Sequence, residues 1–159
     1  MDQTTTTQGR VWGSAPTAKE KSAVQRAVTE LLDALAPHRV VKRSDEVHGP
    51  IEQHRTPGGC VLQARAAAIS VSWFADNRAQ DTLGELHINV WHGVVSRGGS
   101  SHRRPTKATI VSERIARPSL ASGDACVWRT EDGKEFNTSA LAAHCNALLD
   151  QQIKKESAA

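Results

Sequence analysis

Glu85, His87, Asn89 and Trp91 alternate with Leu86, Ile88 and Val90 inside the run 82–96. In an extended chain successive side chains point to opposite faces. The polar row therefore shares one face, its members about 7 Å apart, and the aliphatic row takes the other. A carboxylate beside an imidazole is an arrangement that tunes a general base, because histidine titrates near neutrality. The same row, with a tryptophan in it, is equally an amphipathic contact patch for a second subunit or a protein partner. It also fits a plain solvated sheet face, since antiparallel sheets commonly leave one side wet.

A second group is basic. Between Arg97 and Arg117 the chain carries Arg97, Arg103, Arg104, Lys107, Arg114 and Arg117 against one acid, Glu113. Arg97, Arg103, Arg104 and Lys107 flank the flexible Gly98-Gly99-Ser100-Ser101 and form a candidate anion or phosphate site acting through charge and counterion release. Recognition of single strands or RNA normally adds stacking aromatics, and this segment has none, so any nucleic-acid binding is expected to be weak and sequence-independent.

Other chemistries find no spacing to support them. His87 and His92 fall on opposite faces of a regular strand, and His48 and His54 are separated by Gly49-Pro50. No Cys-x-x-Cys, His-x-His or His-Glu-x-x-His pattern occurs, so neither a metal nor another cofactor is expected. No Gly-x-Ser-x-Gly elbow is present, and Cys60, although it follows Gly58-Gly59, reads as a buried filler rather than a nucleophile. No catalytic residue is assigned.

The elements that must position these residues follow from periodicity. The 159 residues suit one domain with a single core, and 38% hydrophobic content is ordinary globular usage. With 4% aromatic residues and no Tyr, that core must be mostly aliphatic. Residues 1–15 lack periodicity and are expected to be a disordered tail. Val24, Ala27, Val28, Leu31 and Leu35 recur at helical spacing from Pro16-Thr17 until Pro37. Residues 39–43 read as a short strand and 44–59 as a loop that can hold a short extended piece, because Gly49-Pro50 and Pro57-Gly58-Gly59 interrupt any continuous ladder. Residues 60–76 are strand-rich, 77–81 a turn, and 82–96 a strand with Val94 on the side of Leu86. Strands are expected over 107–117 and 125–129, with a loop at 118–124 between them, and a third over 134–136 after the Glu131-Asp132-Gly133 turn. Asn137, Thr138 or Ser139 caps a final helix whose Leu141, Cys145, Leu148, Leu149 and Ile153 form an apolar stripe ending near Lys154. No helical pattern lies between the strands, and parallel neighbours would need crossovers. The expected fold is therefore α+β: an antiparallel meander of about five or six strands with both terminal helices on one face, a single domain over 16–154 and a tail over 155–159.

The balance of 20 Lys+Arg against 17 Asp+Glu gives a net charge of +3, which argues little for a polyanionic partner. Three widely spaced cysteines, the lack of an apolar leader and the lack of an apolar run of spanning length lead to the expectation of a cytoplasmic protein with free thiols and no membrane association. The expected function is a non-enzymatic protein-interaction module or homodimeric adaptor using the Trp91 face. The alternatives are a small enzyme or ligand-binding protein built on Glu85, His87 and Asn89, and a weak nucleic-acid accessory protein acting through residues 97–107.

Overall fold

A computed structural model describes residues 16–35, 51–75, 83–95, 108–121 and 125–158. The expected N-terminal tail, the strand over 39–43, the turn over 77–81 and the basic residues Arg97, Arg103, Arg104 and Lys107 lie outside the described residues.

Helix α1 spans Ala18–Asp33. Its start is written in Thr17 and Glu20, which form a reciprocal capping box: the Glu20 amide donates to Thr17 Oγ1 at 3.1 Å, and the Thr17 amide donates to Glu20 Oε1 at 2.9 Å. Two of the orphan donors of the first turn are thereby satisfied. Ala23, Val24, Ala27, Val28, Leu31 and Leu32 make the buried face.

Seven antiparallel strands follow in sequential order: β1 Glu52–Thr56, β2 Gly59–Gln63, β3 Ala67–Phe74, β4 Glu85–His92, β5 Thr109–Leu120, β6 Cys126–Thr130 and β7 Glu135–Asn137. Within the region 44–59, read as a loop that can hold a short extended piece, residues 52–56 form β1, which pairs with β2, Thr56 opposite Gly59; residues 44–50 lie outside the described residues. Pro57-Gly58 thus closes a hairpin instead of breaking a strand. The sequence Glu-Gln-His-Arg-Thr hides the strand because β1 is an edge that buries almost nothing, so no apolar alternation is needed.

A second correction concerns 118–124: β5 runs on to Leu120, with Pro118 opposite Trp128. Pro118 is tolerated because β4 pairs with β5 only as far as Ala116, leaving one neighbouring strand at that point and less demand for a ladder N–H. Val94 is 42% exposed, not inward. Gly93, at φ 111°, ends β4 and turns the chain so that its amide donates to the Ala66 carbonyl at 2.7 Å.

The core lies between the sheet and two helices. Leu86, Ile88 and Val90 of β4 face inward beside Trp73, Val71 and Ile69 of β3. Helix α2, Thr138–Ala158, closes the core with Leu141, Cys145, Leu149 and Ile153. Asn137 Oδ1 caps it, accepting the Ala140 amide at 2.7 Å. The helix continues past Lys154, so residues 155–158 are helical rather than a tail. Trp128 is fully buried, its indole N–H donating to Thr138 Oγ1 at 3.1 Å, and its ring meets Trp73 edge-on at 5.9 Å. Trp73 and Trp128 stand on strands three places apart, about 14 Å in a flat sheet. Their contact therefore requires a sheet curved around its helices, with the small Ala116 between them.

Candidate functional site

The side of the sheet away from the helices carries the predicted row. Register places Glu85 opposite Phe74, His87 between Ser72 and Ile115, Asn89 between Ser70 and Glu113, and Trp91 between Ala68 and Ile110. All four side chains are half-buried, while the alternating Leu86, Ile88 and Val90 are buried. The ladder slips between Val90 and Trp91, where Val111 of β5 is the extra residue of a bulge.

The polar groups of this face are largely spent on one another. Glu85 Oε1 lies 2.9 Å from His87 Nε2, and Glu85 Oε2 accepts from Arg117 Nη2 at 2.9 Å. The hydrogen bond from His87, then that from Arg117, holds the Glu85 carboxyl below its ordinary value of 4.5. Phe74 leans on the His87 ring edge-on at 4.7 Å. The Trp91 indole N–H donates to Ser70 Oγ at 3.0 Å.

Arg117 and Phe74 belong to this cluster although the row of alternating residues did not contain them. Phe74 was detectable in principle, since it has the parity of Ser70 and Ser72. Arg117 was not, because only the β4–β5 register brings it to a carboxylate 32 positions away.

Apolar surface gathers at one end of the sheet. Of the exposed large hydrophobic residues, Phe74 at 49% stands at the Glu85 end, whereas Val94, Ile110 at 42% and Val111 at 46% lie at the Trp91 end. There β5 extends past the reach of β6, which pairs only with Ala116–Leu120. Thr109–Ile115 thus has no second neighbour among the described strands.

Among the described residues, two clefts lie elsewhere. One, of about 300 Å³, is formed by the β2–β3 turn and the end of α2 and includes Arg65, Ile153 and Glu156. Glu156 is already occupied there, with His92 Nδ1 at 2.6 Å and Gln152 Nε2 at 2.7 Å. The other, of about 270 Å³, borders β5 and the β6–β7 turn. Neither is lined by Glu85, His87, Asn89 or Trp91.

Cys60 is buried and desolvation raises its thiol pKa, against smaller opposing effects of Gln53 and Arg55. Burial pushes Cys145 up to about 12, and Cys126 likewise. These thiols lack the thiolate character a nucleophile requires. Among the described residues no group of three metal-ligating side chains converges, and no helix is long and apolar enough to cross a membrane.

Compared with protein-family models, curated proteins and solved structures, the chain matches none.

Proposed function

We propose that this chain is a non-enzymatic protein-interaction module whose contact surface is the open sheet face, centred on Trp91, Ile110 and Val111, and whose partner is an acidic segment with apolar side chains. The observation that carries this reading is the gathering of exposed aliphatic residues around a tryptophan at one end of a sheet face on which Trp91 pairs with Ser70 and Glu85 with His87 and Arg117. A surface of that kind loses little polar hydration when covered and gains from burying its apolar atoms. The Glu85–His87–Arg117 cluster favours contact over catalysis: the carboxylate already holds two partners, and the cluster lines neither cleft.

Charge selects the partner. Residues 96–107, joined covalently to this end of the sheet through Val95 and Ala108, contain four Lys and Arg and no acid. Symmetric association of two copies at this end would set like charges together, whereas an acidic segment is attracted to them.

Selection of a displayed peptide library on the full chain tests the proposal. The expected peptides combine Asp or Glu with aliphatic residues, bind more weakly as salt rises, and lose about tenfold or more in affinity to Ile110→Asp, as for an interface centre. Peptides without acidic residues, or ones indifferent to Ile110→Asp, would count against it. Sedimentation showing a dimer dispersed by Ile110→Asp would replace the acidic partner with a second copy. Oligonucleotide binding unaffected by that substitution would move the activity to residues 97–107.

A further inference from the structure

The inner, helix-covered face of the sheet contains one charge that the apolar core does not explain. Arg114 stands opposite Ile88 in the β4–β5 register, on the side that buries Ile88 and Ala116. Its side chain makes no hydrogen bond or ion pair among the described residues, and its Nε is fully buried without a partner. Arg114 as a whole is only half-buried, so its guanidinium stays accessible to an anion while having no carboxylate partner among the described residues. Arg55, the other arginine with a buried Nε, differs because its Nη2 donates to Asp33 at 3.0 Å.

Arg114 borders the 270 Å³ cleft together with Ser112, Glu113, Thr130, Glu131 and Asp132. The carboxylate of Asp132 is turned to the Thr130 hydroxyl and the Lys134 amide. On the adjacent α2, the His144 ring stacks on Phe136 at 5.0 Å and supplies no negative charge. A half-buried cation and three exposed acids thus share one lining. The acids repel a multiply charged anion such as phosphate, while a molecule with both charges satisfies the two kinds of group together.

We infer that this cleft binds a small zwitterion, its carboxylate on the Arg114 guanidinium and Ser112 hydroxyl and its ammonium toward Glu131 and Asp132. The inference does not depend on the Trp91 surface, although the cleft lining begins at Ser112, the residue after Val111. Planar, forked donors make Arg suited to a carboxylate held in two places.

Isothermal titration calorimetry on the full chain tests this with L-alanine and 4-aminobutyrate, which separate the two charges by different spans, and with acetate, ethylammonium and inorganic phosphate as single-charge or polyanionic controls. At least one zwitterion is expected to bind saturably, with acetate and ethylammonium each about tenfold weaker, the loss of one charge-assisted contact. Arg114→Leu should abolish the binding while leaving far-ultraviolet dichroism unchanged, and Arg114→Lys should retain part of it. Failure of both zwitterions to bind overturns the inference without recourse to any variant. So does binding that survives in Arg114→Leu, or phosphate binding as tight as that of the better zwitterion.

Discussion

Single side chains decide more here than their number suggests. Gln63 is buried at the end of β2, and its Nε2 donates to the carbonyls of Ala64 at 2.8 Å, Ala67 at 3.3 Å and Gly93 at 3.0 Å, while its Oε1 accepts the Val95 amide at 2.8 Å. One amide thereby ties the β2–β3 turn to the exit of β4. Gln63→Leu leaves the Ala64 and Gly93 carbonyls and the Val95 amide without this partner, while the Ala67 carbonyl keeps the Ala64 amide, and should cost about 2–3 kcal/mol in urea unfolding. Gly84 is fixed by two constraints: φ is 116°, and a Cβ there would meet the Trp73 ring at 2.6 Å and the Phe74 carbonyl oxygen at 2.8 Å. Gly84→Ala is expected to destabilise by about 2 kcal/mol or more, combining backbone strain with overpacking, and to alter near-ultraviolet dichroism through Trp73. Neither role is visible in the residue types, since each depends on neighbours distant along the chain.

At the scale of elements, helix α2 and strand β4 carry the groups that link stability to pH. Desolvation first, with the charges of Arg114 and Lys134 adding to it, lowers the His144 pKa from 6.5. A depressed histidine favours the neutral folded form, so its contribution is complete above pH 6.5 and is lost as pH falls through the lower folded value. Glu156 is lowered from 4.5 mainly by its hydrogen bond from His92, and Glu85 by that from His87, so their contributions persist above pH 4.5 and disappear on further acidification. The urea midpoint should therefore decline in two stages, beginning below pH 6.5 and again below pH 4.5. His144→Phe should remove the first stage, and Glu156→Gln should shrink the second. A midpoint flat from pH 7 to pH 5 would contradict the His144 assignment. The capping box of α1 has a simpler consequence: Thr17→Ala should cost about 1 kcal/mol.

For the whole molecule, curvature is the organising feature. Trp73 and Trp128 meet across two intervening strands, so a double-mutant cycle between them should show coupling of about 0.5–1.5 kcal/mol although β3 and β6 share no ladder. Cys60 and Cys145 lie buried in the layer between sheet and helices. Their alkylation by a maleimide should follow global unfolding, with the same urea dependence as circular dichroism. Labelling of Cys145 far faster than unfolding predicts would show that α2 lifts from the sheet alone.

The terminal helices, the antiparallel meander and the outward parity of Glu85, His87, Asn89 and Trp91 were legible along the chain, because each rests on periodicity or local cap and turn chemistry. The extent and pairing of strand β1 were not, since an exposed edge imposes no apolar alternation, and neither was the passage of β5 through Pro118, which depends on where β4 ends. The partnership of Arg117 with Glu85, the bulge at Val111, and the position of Arg114 on the inner face without a partner among the described residues were settled only by tertiary structure. Each of these follows from register between strands, and register is set by the packing of the whole sheet around its helices, which no local stretch of sequence contains.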